Sequence, residues 1–459
     1  MRGHPNMHSE TISSLIDRAP IGTYHWRIFL ICGLVAVMDG FDSVIIGITA
    51  PAIARSLQID IATFGPIFAA AQIGFMLGAF GAGPAADRWG RKRMLCISTL
   101  LFAAATISTV AADDFSALLL IRIVTGIGLG GAATNFIALC SDFAPSRARA
   151  TILAVLWAMI PAGNVFGGVL SSWMLPAHGW QSIYLVGGLV PAAAACAIFF
   201  LVPESLSFLA RDDRHRERVT GILRRLGAAD TWQPPGTPLP TQAKTKVPVS
   251  LLLSRGNGAT TAWVWLSAFA CWMMLLTLLS WMAPLMIQLG IPASRASLGV
   301  AANSAGAIVG ALILGRLMDR IDRYIVCAIS LGVGAVATAL TGVLAGSFAS
   351  LAAMAFVLGF TVGGASAGIM AIVATIYPDQ LRSTGIGWTI GVARLGGAIG
   401  PIIAGIVLQA GASAAQIFAL LAVPCLISVV SLLGLRSVRR TKEIPQPANG
   451  MDALGASEC

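Results

Sequence analysis

The sequence predicts an all-α polytopic membrane protein, with twelve transmembrane helices arranged as two parallel six-helix repeats. Three observations predict it: a composition too apolar for a soluble fold, twelve apolar runs of spanning length, and a charged loop motif that returns at a fixed offset. The 459 residues are 56% hydrophobic and 11% charged, with a mean hydropathy of +0.81, whereas soluble domains carry about 25% charge. A soluble fold of this length needs a charged surface far larger than 30 Lys and Arg and 20 Asp and Glu provide. Disorder fails for the opposite reason. The 50 glycines suit membrane helices whose backbones approach closely.

Residues 1–27 are polar and form a cytoplasmic segment; they are no signal peptide, because the apolar run that follows is too long and carries acids in its middle. About 20 apolar residues cross a bilayer core. Runs of that kind lie near 28–54, 62–86, 94–112, 115–141, 150–175 and 181–202, giving a first bundle over 28–202. Residues 203–258 form a solvated linker, rich in Arg from Arg211 to Arg225, with Lys244, Lys246 and a Pro-rich run at 234–240. Six more runs lie near 260–290, 296–318, 324–346, 348–377, 383–409 and 413–435, giving a second bundle over 259–435, and a cytoplasmic tail occupies 436–459.

The net charge of +10 reflects topology rather than nucleic-acid binding, since the excess sits in short loops and no basic stripe interleaves with aromatics. With both termini in the cytoplasm, only Arg55 and Arg295 fall in loops outside, and Arg122 and Arg394 lie within spans. The eight cysteines form no C-x-x-C pair, and the five histidines His4, His8, His25, His178 and His215 fall in flanks or loops. The thiols read as small core residues, and no metal or cofactor is expected. No nucleophile and base, phosphate-cradling loop or metal cluster appears, so the chain is not expected to be an enzyme.

The two halves repeat. Gly83-x-x-x-Asp87-Arg88-x-Gly90-Arg91 recurs 232 residues later as Gly315-x-x-x-Asp319-Arg320-x-Asp322-Arg323, and Gly130-Gly131, Pro145 and Arg149 return 233 residues on as Gly363-Gly364, Pro378 and Arg382. A parallel repeat of six spans suits a carrier whose halves rock about a site at mid-membrane.

On these residues the chain resembles the major facilitator superfamily, and the likeness covers essentially its whole length. The loop from Gly83 to Lys92 matches the superfamily signature between spans 2 and 3. Asp39-Gly40-Phe41-Asp42 in span 1 is similar to the mark of the aromatic acid:proton symporters, with support from Arg122 to Gly130 in span 4, Gly391 to Gly396 in span 11, and Pro203-Glu204-Ser205 after span 6. Two departures stand out: Asp142 occupies a place where the family often has Glu, and Asp322 replaces glycine in the second copy of the loop motif. Span 5 lacks the Gly-Pro pair of proton-driven drug antiporters. The resemblance implies uptake of a small aromatic carboxylate, such as a hydroxybenzoate, by proton symport with alternating access across an inner membrane.

Four ionisable residues lie deep in the spans: Asp39, Asp42, Arg122 and Arg394. At roughly 2.5–3.5 kcal/mol each they oppose insertion by about 10–14 kcal/mol unless paired or hydrated, which demands a shared cavity. Asp39 and Asp42, spaced i, i+3, share one helical face, and two like charges in a poorly hydrated site do not both ionise. One of the two is therefore expected to carry the coupled proton. Arg394 is the better candidate for the cargo carboxylate, which its planar fork matches in bidentate fashion. Arg122 either pairs with one of the aspartates or contacts cargo. None of the four recurs in the other half, as befits ligands. The four charges sum to zero, so one monoanion and one proton enter together without net charge.

Phe41, Trp157, Trp272 and Trp388 are candidate ring contacts, and Asn135, Asn164, Asn303 and Gln288 are candidate partners for ring hydroxyls or glue between helices. Asp87, Arg88, Arg91, Asp142, Asp319 and Arg320 sit at span ends, where bridges between them gate one face. The expected partners are the carboxylate, protons and the bilayer, with a monomer as the working unit and no nucleic acid. The alternatives are a proton-coupled carrier of a non-aromatic organic anion or a sugar, and a membrane sensor that binds aromatic acids without moving them.

Overall fold

The structure is a computed structural model and describes residues 12–228, 249–254, 257–342 and 347–443. His4, His8, Lys244, Lys246, the run at 234–240 and Cys459 lie outside the described residues. Among the described residues there is no strand. After a short helix Ile12–Arg18, the first set of membrane helices comprises α1 Thr23–Leu57, α2 Gly65–Trp89, α3 Arg91–Ser108 and α4 Phe115–Phe143. Next comes the 56-residue stretch Ser146–Leu201, broken at Gly179, which forms α5 before the break and α6 after it. The second set comprises α7 Gly258–Gln288, α8 Ala293–Met318, α9 Arg323–Thr341, α10 Phe348–Ile376, α11 Asp379–Gln409 and α12 Ala414–Arg439.

The sequence separates spans 5 and 6 by a loop at 176–180, yet only one residue leaves the helical region. Gly179 takes φ +76, a left-handed value that costs glycine little, so the chain reverses without a longer connection. The linker holds further short helices, Leu206–Leu209 and Arg216–Arg225.

Glycine decides the helix packing. Gly74, Gly78, Gly126 and Gly130 bring α2 and α4 together so closely that a β-carbon on any of them would strike the facing backbone. Their counterparts 232 or 233 residues later, Gly306, Gly310, Gly359 and Gly363, pack α8 against α10 in the same way. Bilayers supply no hydrophobic drive between helices, so association depends on this close backbone contact. In α10 the repeat departs locally, since Gly359–Gly363 is a π-helical turn.

We name the membrane face that carries residues 202–228 and 249–254 the linker end, and the opposite face the far end. The two sets of six are joined at the far end. Gly47 of α1 abuts the backbone of Ser280, Gly65 of α2 abuts Pro401 and Ile402, and Gly168 of α5 abuts Ser297 and Ala301. Phe68 meets Trp281 edge-on at 5.2 Å, and Gln409 donates to the Ala62 carbonyl at 3.3 Å.

At the linker end each half makes polar contacts of its own. Arg91 pairs with Asp142 at 2.6 Å, and Asp142 also accepts from the hydroxyls of Ser205 and Ser207. Their counterparts are Arg323 and Thr375, joined at 2.6 Å. Gly90, at φ +98, makes room for the Glu204 carboxylate, which accepts from the Lys92 N–H at 2.9 Å and so caps α3. In the second copy Asp322 caps α9 itself, accepting from the N–H groups of Tyr324 and Ile325. There Arg436, from the end of α12, binds Asp322 at 2.7 Å. The glycine-to-aspartate departure in the repeated motif thus moves one acid from a neighbouring helix end to the cap position. Burial pushes the Asp322 carboxyl up, but Arg436 and the two N–H donors outweigh it and hold the group below the usual carboxylate range.

Candidate functional site

Helices α1, α4, α6, α2 and α11 bring the deep charges together: Asp39, Asp42 and Arg394 lie near the middle of α1 and α11, and Arg122 lies two turns into α4. Asp42 on α1 and Arg122 on α4 form a two-pronged ion pair, Nη1 to Oδ1 at 3.1 Å and Nη2 to Oδ2 at 2.6 Å. Each side chain is 1% exposed. The parallel prongs are the strong geometry for these groups, and inside a low-dielectric bundle such a pair is costly to break from one side. Tyr184 on α6 stands within electrostatic reach of both members. Its hydroxyl donates to Thr49 Oγ1 at 3.0 Å, because the Thr49 proton is already given to the Ile45 carbonyl at 2.7 Å. Arg122 Nε is buried without a hydrogen-bond partner among the described residues.

Asp39, one turn before Asp42, is also buried. Its carboxylate makes no hydrogen bond or ion pair among the described residues, although it lies within electrostatic reach of Arg394 and of Asp42. The adjoining Gly40 lets α5 approach so closely that the Ile160 carbonyl and the Asn164 side chain lie against it. Asn164 Oδ1 is buried there without a hydrogen-bond partner among the described residues.

Arg394 on α11 is held differently from Arg122. Its Nη1 donates to Gln72 Oε1 on α2 at 2.7 Å, and its guanidinium carbon lies 3.7 Å from the centre of the Phe75 ring. Its side chain is half-buried. Gly396, Gly397 and Gly400 seat α11 on α7, where added β-carbons would strike Phe269, Leu276 and Thr277. That packing fixes the height of Arg394 in the bundle.

The other predicted residues fall into groups. Phe41 is fully buried and packs against Phe166 at 5.8 Å. Trp157 and Trp388 are exposed by 48% and 46%, Trp388 stacking on Trp265 at 6.1 Å, and Trp272 is half-buried. Asn303 joins α8 to α10 through the Ala355 carbonyl at 3.0 Å. Asn135 bonds within its own helix at 2.8 Å, and Gln288 is exposed at the far end. Asp87 pairs with Arg211 of the linker at 3.7 Å, and Arg88, Asp319 and Arg320 are exposed. Among the described residues no group of three or more His, Cys, Asp or Glu is arranged to hold a metal. An apolar cavity of about 150 Å³ between α7, α11 and α12 includes none of the charged residues.

Neither charge nor composition marks Gln72, Phe75, Tyr184 or Thr49 in the sequence; the one signal for Gln72 is an amide inside the apolar run 62–86.

A search against family models matches this chain to the Major Facilitator Superfamily over residues 32–294 and 264–455. It is 31% identical to a gallate transporter of Pseudomonas putida over 438 residues, which cover 95% of this chain and 98% of that protein. The chain belongs to the major facilitator superfamily, within its aromatic acid transporters. This major facilitator protein is also 30% identical to the 4-hydroxybenzoate transporter PcaK of Pseudomonas aeruginosa, over 92% of this chain and 95% of that one. Its fold is similar to that of a D-xylose-proton symporter, with a TM-score of 0.70 at 16% identity over 90% of this chain and 97% of that one. It is similar also to a bacterial homologue of the lysosomal transporter Spinster, with a TM-score of 0.66 at 14% identity over 92% and 98%. The major facilitator chain is therefore a multi-pass membrane transporter and not an enzyme.

Proposed function

We propose that this transporter imports a small aromatic carboxylate of the hydroxybenzoate type by proton symport. The observation that carries the reading is the guanidinium of Arg394, midway along α11 and in contact with α2 of the other half. It is bonded to a neutral amide rather than a carboxylate, so its charge remains available to an anion. Relatives about 30% identical along almost the whole chain are named as transporters of gallate and 4-hydroxybenzoate, both aromatic acids.

Coupling follows from charge balance. Asp42 neutralises Arg122, which leaves Asp39 and Arg394 as the balancing pair. When cargo takes Arg394, Asp39 becomes an uncompensated buried anion, and its protonation restores neutrality before the halves move. One cargo anion and one proton then cross together without net charge. Asp39 is thus the proton carrier, and Asp42 with Arg122 is the fixed frame. Phe41 belongs to that frame, while Phe75, Trp157, Trp272 and Trp388 are the ring contacts.

The linker end faces the cytoplasm of an inner membrane, a placement supported by the basic residues that crowd it while Arg55 and Arg295 stand at the far end. Two bundles, 28–202 and 259–435, rock about the site in a functional monomer, with the segments 1–27, 203–258 and 436–459 in the cytoplasm. In the form described the far end is sealed. Arg91 with Asp142, and Asp87 with Arg211, brace the first bundle; exposed Arg88, Asp319 and Arg320 are available to pair when the linker end closes.

The test is uptake of labelled 4-hydroxybenzoate into proteoliposomes under an imposed pH gradient. Gallate and benzoate compete, whereas aliphatic acids at equal concentration do not. Equal competition by aliphatic acids, or uptake insensitive to the gradient, overturns the reading.

A further inference from the structure

The hydrogen bond between Gln72 and Arg394 is more than a fixed brace, because it crosses between parts that must separate. Helices α2 and α11 run antiparallel, and their contacts form a ladder. Ala62 accepts from Gln409 at 3.3 Å, Gly405 faces Ala62, and Gly65 faces Pro401 and Ile402. Gln72 then meets Arg394 at 2.7 Å, seven residues or roughly 10 Å further in along α2. This rung lies deep in the seam that seals the far end, with Phe75 against the same guanidinium and Phe80 near Gly391 beyond it. If the halves part there, Gln72 leaves Arg394; when they close again, something must meet the guanidinium, since a desolvated arginine without an acceptor is costly.

We propose that Gln72 is an internal stand-in for the cargo carboxylate, occupying Arg394 while the empty carrier changes sides and yielding to cargo in the loaded carrier. This rests on the reading of Arg394 as the carboxylate site. Three features favour it. The Gln72 partner is an amide oxygen, an acceptor of the same shape as one carboxylate oxygen but without its charge, so an incoming anion outcompetes it by charge-assisted bonding. A carboxylate at position 72 would instead hold Arg394 as Asp42 holds Arg122. Phe75 covers one face of the guanidinium, so exchange of partners takes place along its edge, where Gln72 sits. Gln72 and Arg394 also belong to opposite halves, so the bond forms only when the far end closes.

A stand-in serves one transport mode more than the other. Net uptake requires return of the empty carrier in every cycle, whereas exchange of labelled for unlabelled cargo lets the carrier move loaded in both directions. The experiment compares net uptake of 4-hydroxybenzoate, driven by a pH gradient, with counterflow in vesicles preloaded with the same acid. In Q72A the ratio of counterflow to net uptake rises about tenfold over wild type. Q72E provides a second variant of nearly unchanged shape, in which calorimetric binding of 4-hydroxybenzoate weakens at least about 30-fold as the new carboxylate holds Arg394. R394A is the control for the underlying reading. A ratio within twofold of wild type in Q72A, together with wild-type affinity in Q72E and lost binding in R394A, overturns the stand-in while the carboxylate site survives. Wild-type binding in R394A overturns both.

Discussion

The two deep arginines have the same chemistry, yet the fold treats them oppositely. Arg122 is sealed, 1% exposed, and spends both prongs on the Asp42 carboxylate. Arg394 is half-buried, spends one N–H on an amide oxygen, and lays one face on a phenyl ring. A guanidinium already neutralised by a carboxylate has no electrostatic reason to bind another, whereas one partnered by a neutral dipole has. On the proposed reading it is the charge of the existing partner, not burial depth, that marks the ligand site. The aspartates divide the same way, Asp42 consumed by its pair and Asp39 left without a hydrogen-bonded partner.

The comparison breaks most sharply through stability. Arg122→Ala strands the Asp42 charge inside the first bundle and costs about 3–5 kcal/mol, read as a large loss of melting temperature in detergent, while Arg394→Ala leaves melting much closer to wild type. Equal destabilisation by the two variants refutes the division of roles. Next in size, Arg394→Ala weakens 4-hydroxybenzoate binding by about 10- to 100-fold, in keeping with about 1.5–3 kcal/mol for a charged hydrogen-bonded contact, measured by calorimetry. The Asp42→Asn, Arg122→Gln double variant exchanges the ion pair for amides and recovers part of the stability lost in Arg122→Ala; failure to recover any shows that the pair does more than balance charge.

Asp39→Asn sharpens the comparison on the acidic side. Cargo-dependent proton entry, followed with an entrapped pH dye, falls at least tenfold more than cargo binding does. A retained dye signal moves the proton to another group. The smallest effect belongs to the linker end. Asp322→Ala removes the cap of α9 at a cost of about 1 kcal/mol. Because the folded Asp322 carboxyl sits below its usual range, its contribution is complete above the unfolded value of about 3.9 and fades as pH falls through the folded one. Melting of the wild type and the variant should therefore converge in acid and differ most near neutrality; a difference independent of pH shows that the acid form caps equally well.

Much of this site was legible in the chain itself. Charged residues in the middle of apolar runs are expensive wherever they occur, so Asp39, Asp42, Arg122 and Arg394 declared themselves without coordinates. Their partners did not. An i, i+3 spacing puts two side chains on one broad face but still turns them by about 60° and separates them by about 4.5 Å along the axis. That is enough for Asp42 to meet α4 while Asp39 lies within reach of α11. Gln72 carries no charge and Phe75 no polarity, so neither stood out from its run, and the aromatic candidates chosen from composition include one, Phe41, with no exposed surface.

Hydropathy and the 232-residue repeat by themselves determined the twelve-helix architecture, because a bilayer leaves a long apolar segment only helical solutions. The repeat of α2 and α4 glycines in α8 and α10 likewise fixed how the helices meet. Which end is sealed, which arginine is spent and which is available were decided only by tertiary structure. Those outcomes depend on contacts between helices far apart in sequence, where a rotation of one residue about a helix exchanges an ion pair for an open fork.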